Sequence, residues 1–184
     1  MLTIVCKDIA KRYTKEVLFK EFSFTFEGSK RYAILGANSS GKSTLLKIIG
    51  GAISATKGKV IYSSPKPSHE IFGFCRPEIY LLDDFTVQEL FELHVQFKTP
   101  KVPLKEQWQQ CNLTAFLNKR YSELSSGLKN KVKLALAIFT EAPALLLDEP
   151  CTNFDASNTK WYQEMIEKHC TDQLIIVASN QESE

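Results

Sequence analysis

Residues 36–49 read GANSSGKSTLLKII, and the assignment of the fold begins with them. The first part matches the pattern GxxxxGK[S/T]. The apolar run RYAIL precedes it, and Leu45, Ile48 and Ile49 follow at helical spacing. Glycines let backbone N–H groups curl around phosphate oxygens, and a helix N-terminus adds partial positive charge. The stretch therefore predicts a strand, a loop and a helix that together bind a phosphate chain.

Two side chains of this loop have chemistry suited to a nucleotide. Lys42 has the charge and reach to contact β- and γ-phosphates, and the hydroxyl of Ser43 is a ligand for Mg²⁺. An alternative is a glycine-containing turn with a solvated lysine, but the flanking strand and helix disfavour it. The predicted nucleotide-binding residues of the loop are Gly36, Asn38, Ser39, Ser40, Gly41, Lys42, Ser43 and Thr44.

A second apolar run ends in two carboxylates, at residues 144–150 with the sequence ALLLDEP. Asp148, at the end of the predicted strand, would hold Mg²⁺ beside the phosphate loop. Glu149, the next residue, would point elsewhere and polarise an attacking water. By itself the run is equally compatible with a strand that ends in a solvated Asp-Glu turn.

The composition excludes several classes of protein. The chain has 184 residues, a net charge of +2 and mixed acids and bases, so it offers no basic surface for nucleic acid. Its five cysteines are odd in number and lack CxxC spacing, as expected of reduced thiols in the cytosol. There is no secretory signal pattern at the N-terminus. No apolar run approaches the roughly 20 residues that span a bilayer.

The pattern along the chain is rich in strands at first, then helical, then β-α-β. A capping box at Thr86 and Glu89 opens a predicted helix that ends near Phe97, and further helices are predicted at about 108–117 and from Leu128. Leu128 begins a helix with one apolar stripe. The predicted strands are residues 2–6, 22–26, 31–35, 59–62, 144–147 and 174–178, the last two being continuous apolar runs typical of a buried parallel sheet.

Residues 122–137, SELSSGLKNKVKLALA, carry a resemblance to a known family. The pentapeptide LSSGL at 124–128 resembles the LSGGQ signature of the ATP-binding subunits of ABC transporters. A small Ser-Ser-Gly cluster at a helix N-terminus is also a second anion site on physical grounds. In the family, the signature of one subunit caps the nucleotide of the other, so Ser125, Ser126 and Gly127 imply a dimer. An ordinary serine N-cap is the alternative for this segment.

The resemblance extends from about residue 2 to 180 and implies further features. Tyr13 falls where the family has an aromatic ring that stacks on adenine, and Asp155 resembles the aspartate of the D-loop. The implied fold is α/β, with a RecA-like P-loop core, an N-terminal antiparallel β subdomain and an inserted helical subdomain. The expected boundaries are about 1–30 and 55–75 for the β subdomain, about 77–135 for the helical subdomain, and the remainder for the core.

Three departures from the family pattern stand out. The glutamine of the Q-loop falls on Pro77 or Glu78, and proline offers no side-chain donor or acceptor. The switch histidine is replaced by Asn180 or, as the alternative, by Gln181, and Asn180 donates a hydrogen bond but does not carry a proton. The chain ends at Glu184, where family members usually continue with another helix, which implies a truncation. The first two departures predict a slow ATPase.

The resemblance implies an ATPase subunit that powers an ABC membrane transporter through nucleotide-driven dimerisation. Catalysis would rest on Glu149, Lys42 and Asn180, with ATP and Mg²⁺ bound and with Ser43 and Asp148 as metal ligands. The expected partners are a second ATPase subunit, as a homodimer, and a separate transmembrane permease, without nucleic acid. The location would be cytoplasmic, at the inner face of the membrane. The short length and Asn180 favour the small subgroup that resembles haem-exporter ATPases.

Two other functions remain as alternatives. One is a soluble ABC-type ATPase that acts on nucleic acid or the ribosome, and the other is a phosphotransferase built on the same phosphate loop. Soluble ABC-type ATPases usually have two ATPase domains or long coiled coils, and this chain shows neither. The signature-like segment and Glu149 disfavour the phosphotransferase.

Overall fold

The computed structural model describes residues 1–14 and 16–180. By internal contacts the chain forms two compact units. The first unit contains residues 1–74, 142–149 and 172–180, and the second contains Cys75–Glu141 and Pro150–Thr171. The predicted boundaries of the subdomains remain a prediction.

A three-stranded antiparallel sheet in the first unit has the strand order β2-β1-β4. Its strands are β1 (Thr3–Tyr13), β2 (Glu16–Glu27) and β4 (Lys57–Tyr62). The strands β1 and β2 form a hairpin whose ladder ends at the pair Tyr13 and Glu16. They extend well beyond the predicted runs 2–6 and 22–26, because backbone pairing with irregular register continues through polar residues.

A four-stranded sheet, also in the first unit except for Cys75 at the end of β5, has the strand order β3-β7-β6-β5. Its strands are β3 (Arg31–Leu35), β5 (Phe72–Cys75), β6 (Ala144–Asp148) and β7 (Leu174–Ser179). The strand β7 pairs in parallel with both β3 and β6. All residues of β6 and β7 are buried, as their continuous apolar sequences predicted. In this register Leu35 lies opposite Ser179, and Asp148 lies opposite Ala178.

One helix joins the two sheets into a common core. The helix α1 (Lys42–Ile49) is followed by Gly50 and Gly51, and the positive φ of 72° at Gly51 ends it. Leu46 and Ile49 of this helix are fully buried. The core also takes side chains from both sheets, including Ile4, Ile9, Phe26, Leu146 and Ile176. A short helix, α2 (Ser68–Ile71), precedes β5.

The second unit is helical, with α3 (Val87–Phe97), α4 (Leu104–Gln110), α5 (Ser126–Ile138) and α6 (Ala156–His169). The capping box predicted at Thr86 and Glu89 is present at the start of α3. The prediction of a helix at 108–117 was wrong in its bounds. Pro103, with its fixed φ, precedes the helix at the N-cap, and a separate 3₁₀ turn at Thr114–Phe116 follows. Among the described residues, no helix combines the length and apolar character needed to cross a membrane.

His94 of α3 is a largely buried histidine of the second unit with a hydrogen-bond partner on its ring. Its Nε2 lies 2.8 Å from Oγ1 of Thr140, and that hydroxyl donates to the carbonyl oxygen of Leu136 at 2.7 Å. Because the hydroxyl proton is committed to Leu136, the neutral ring donates to Thr140. Burial, and secondarily Lys98, lowers the pKa of His94 from 6.5 to about 4.

The lowered pKa of His94 predicts a loss of stability in acid. Above pH 6.5 the ring is neutral in both the folded and the unfolded chain. As the pH falls from 6.5 towards 4, the unfolded chain binds a proton that the buried ring does not, so the free energy of unfolding falls by up to about 3 kcal/mol. Urea unfolding at pH 7 and pH 4.5 measures the loss. His94→Gln should reduce the difference between the two pH values, whereas the matched control His69→Gln, at a side chain that is 75% exposed, should not. Equal differences for the wild type and His94→Gln would contradict this account.

Candidate functional site

The phosphate loop has a backbone that requires glycine at position 41. Gly41 is the N-cap of α1 and has φ 97°, in the left-handed region. A Cβ atom there would lie 2.9 Å from Cγ of Leu18 and 3.0 Å from Cδ1 of Phe19, both on the β2 strand. Ser39 also has positive φ, at 64°. A Cβ atom at Gly36 would lie 2.9 Å from Oγ of Ser40. The loop is thus a tight turn in which a side chain at Gly41 would collide with β2 and a side chain at Gly36 would collide with Ser40.

The side chain of Lys42 folds back onto the backbone at the start of the phosphate loop. Its Nζ donates to the carbonyl oxygens of Gly36 at 2.8 Å and Ala37 at 3.1 Å, and only 7% of the residue is exposed. These carbonyls hold the ammonium group beside the N-terminus of α1. The arrangement concentrates positive charge where the backbone N–H groups of a helix start are unpaired.

Ser43 and Asp148 are brought together from distant parts of the sequence. Oγ of Ser43 donates to Oδ1 of Asp148 at 2.9 Å, and Asp148 is 2% exposed at the end of β6. A hydroxyl and a carboxylate are hard oxygen ligands of the kind that Mg²⁺ prefers. Protein sites for Mg²⁺ usually supply only one or two such ligands, and phosphate and water supply the rest. The two residues therefore fit the predicted metal site. No cluster of three or more His, Cys, Asp or Glu among the described residues is placed to hold a metal by itself.

Glu149 and Asn180 follow the ends of the two central strands. Glu149 has φ 46°, a left-handed conformation that is uncommon for glutamate, and its N–H donates to the carbonyl oxygen of Ala178 at 2.8 Å. Nδ2 of Asn180 donates to Oδ1 of Asn38 in the phosphate loop at 3.3 Å. Since the strands are parallel neighbours, their ends deliver both residues to the loop edge of the sheet.

A cavity of about 380 Å³ lies over the loop. Tyr13, at the end of β1, lies on its wall with 51% of its surface exposed, and Nζ of Lys11 is 5.0 Å from the centre of the ring. Leu18 was not predicted, because its position beside Gly41 depends on a contact between β2 and the loop that no local pattern reveals. The lining residues are Tyr13, Leu18, Asn38, Ser39, Gly41, Lys42, Ser43, Thr44 and Glu149.

The signature-like residues and Asp155 belong to the second unit. Ser125 is the N-cap of α5, and its Oγ accepts from the N–H of Leu128 at 3.3 Å. Ser126 and Gly127 form the first turn. Asp155 is the N-cap of α6 and accepts from the N–H of Asn158 at 2.7 Å. The ordinary serine N-cap is therefore present, and it leaves Ser125 and Ser126 exposed.

Of the two positions predicted for the Q-loop glutamine, Pro77 and Glu78, the first accepts a hydrogen bond through its backbone carbonyl. Nζ of Lys133, in α5, donates to the carbonyl oxygen of Pro77 at 2.6 Å. A lysine of α5 thus contacts the segment in which the sequence resemblance predicts the Q-loop position. In the same segment Tyr80 is 96% exposed.

Comparison with protein families identifies the chain. Residues 19–152, the larger part of the sequence, match the family model described as ABC transporter. The chain belongs to the ABC transporter family. This ABC transporter chain shares 27% identity, over 94% of its length, with a probable ATP-binding protein of Escherichia coli, YbiT, of which it spans 39%. It therefore covers less than half the length of that relative.

Two further comparisons each cover 97% of the ABC transporter chain. It is 26% identical, over 97% of its length, to the cytochrome c biogenesis ATP-binding export protein CcmA of Wolbachia pipientis, of which it spans 89%. A bacterial ABC transporter cassette solved as a dimer matches its fold with a TM-score of 0.83 at 22% identity, covering 97% of this chain and 88% of that one. The predicted α/β fold with a RecA-like core is confirmed.

Proposed function

We propose that this chain binds ATP with Mg²⁺ and hydrolyses it as the motor domain of an ABC membrane transporter. The observation that carries the proposal is the contact of Ser43 with Asp148 beside a lysine-closed phosphate loop. Membership of the ABC transporter family supports it. The cavity volume of about 380 Å³ is within the range of small-molecule sites.

Nucleotide binding would redirect polar groups that now contact one another. Lys42 would exchange the carbonyls of Gly36 and Ala37 for the β- and γ-phosphates, a gain of charge attraction in a nearly enclosed position. Ser43 and Asp148 would hold Mg²⁺, which would neutralise charge on the phosphate oxygens. The exposed ring of Tyr13 offers its face to the adenine base.

Hydrolysis would use the two residues at the strand ends. The carboxylate of Glu149, on the wall of the cavity, would orient and polarise the attacking water. Asn180, beside Asn38, would donate a hydrogen bond to the γ-phosphate but would not transfer a proton. The lack of an imidazole there and of a Q-loop glutamine leads us to expect a slow reaction.

The second anion site would complete the nucleotide site of another subunit. Ser125 and Ser126 are exposed at the start of α5, and unpaired N–H groups at a helix start bind anions. The similar cassette solved as a dimer supports this assembly. A separate permease would supply the membrane span and hold the dimer at the cytoplasmic face, and the export protein CcmA is a relative consistent with such a role.

A site shared between two subunits predicts an unusual dependence on concentration. The rate of Mg·ATP hydrolysis by the purified chain should rise faster than linearly with protein concentration while monomers predominate, because each active site needs two chains. Phosphate release over a dilution series measures this. A strictly linear rate with a monomeric mass throughout would contradict the shared site, and the chain would then use its phosphate loop alone.

A further inference from the structure

Asn130, in the helix α5, forms hydrogen bonds to the loop that follows β6. Its Nδ2 donates to the carbonyl oxygen of Pro150 at 2.8 Å and to that of Thr152 at 3.0 Å. Both hydrogens of one side-chain amide are therefore used on one loop. Asn130 lies in the second turn of α5, whose N-cap is Ser125.

The same loop is fixed at its other end by independent contacts. A Cβ atom at Gly127 would lie only 3.1 Å from the carbonyl oxygen of Asn153, so the first turn of α5 packs directly on the loop. Asn153 has φ 63°, a left-handed conformation. Nζ of Lys131, a buried residue, donates to Oδ1 of Asn158 at 3.0 Å and lies 4.5 Å from the ring centre of Trp161. Residues 150–155 are thus held between α5 and α6.

The loop begins immediately after Glu149. The N–H of Glu149 is anchored on Ala178, and its φ of 46° directs the chain sharply away from the strand. The next carbonyl along the chain, that of Pro150, accepts from Asn130. The backbone of Glu149 fixes where its side chain begins, and Asn130 restrains the residue that follows.

We propose that Asn130 is a positioning residue for Glu149, which it restrains through Pro150 and Thr152. The inference rests on the proposed hydrolysis at Glu149. The side-chain hydrogen bonds of Asn130 go to Pro150 and Thr152 and not to the phosphate loop. Substitution of Asn130 should therefore reduce turnover without weakening nucleotide binding. Small errors in the position of a catalytic group lower rates strongly, and we expect a fall in kcat of about tenfold or more.

Steady-state kinetics of three variants tests this proposal. Asn130→Asp replaces the donor by an oxygen that repels both carbonyls, Asn130→Ala removes the contacts without adding charge, and Asn118→Asp is a matched charge control at an exposed position. We expect kcat to fall in both Asn130 variants with KM within about twofold of the wild type, and Asn118→Asp to match the wild type. Thermal unfolding identifies variants that do not fold, and Asn130→Ala decides the matter if Asn130→Asp is among them.

The outcomes separate this inference from the function on which it rests. Wild-type hydrolysis that folded Asn130→Asp and Asn130→Ala leave unchanged would overturn the positioning role alone. A fall in kcat that only follows the folded fraction would also overturn it, since Asn130 would then be purely structural. A wild-type chain without Mg·ATP hydrolysis would overturn the proposed function, and the role of Asn130 with it.

Discussion

Glu149→Gln should lower the rate of ATP hydrolysis by about a hundredfold or more, because the amide cannot accept a proton from the attacking water. The substitution keeps the shape of a side chain on the cavity wall and leaves Lys42, Ser43 and Asp148 intact. Binding of Mg·ATP should therefore persist. Phosphate release under saturating ATP measures turnover, and calorimetric titration measures binding.

The matched control for this variant is Glu167→Gln, which makes the same chemical change at an exposed position of α6. It should hydrolyse ATP at the wild-type rate. If Glu149→Gln retained wild-type turnover, Glu149 would not be the general base.

Lys42→Ala should weaken the binding of Mg·ATP by about tenfold or more, because it removes a charge-assisted contact to phosphate that we expect to contribute roughly 1.5–3 kcal/mol. The ammonium group is almost fully enclosed and already points along the loop carbonyls of Gly36 and Ala37. Hydrolysis should fall further, since the same charge would stabilise the transferring phosphate. Calorimetric titration of wild type and variant gives the two affinities.

Lys47→Ala is the matched control, because Lys47 lies in the last turn of the same helix. This variant should bind Mg·ATP as the wild type does. Equal affinities for Lys42→Ala and the wild type would remove the basis for placing the phosphate chain on this loop.

Local patterns predicted the elements whose conformation depends on neighbours in the sequence. The loop of residues 36–43 is specified by its glycines and by the helix that follows, and the capping box at Thr86 needs only a glutamate three residues later. The strands β6 and β7 are short apolar runs whose burial follows from composition. These features predicted the phosphate loop and the individual elements, whereas the RecA-like fold was implied by the resemblance of residues 124–128 to the ABC signature.

Features that depend on long-range contacts were missed. The polar middle of β1 gives no strand signal, although β1 pairs with β2 along its length. Leu18 of β2 lies beside Gly41 of the loop, a contact between separate elements. Lys131 is a charged residue, yet it is buried against Trp161, a contact that helical periodicity does not reveal. Hydrogen bonds such as that of Asn130 with Pro150 join residues whose local sequence has no distinctive pattern. The hydrophobic periodicity of the sequence therefore does not predict them.

We expect ATP to hold two copies of this chain together, and the mass of the Glu149→Gln variant in solution tests this most directly. Light scattering after gel filtration should give the 20.9 kDa of one chain without nucleotide or with ADP, and twice that mass with saturating Mg·ATP. Lys42→Ala added to the same variant should abolish the change. A Glu149→Gln chain that binds Mg·ATP by calorimetry and still keeps the mass of a single chain would contradict the claim.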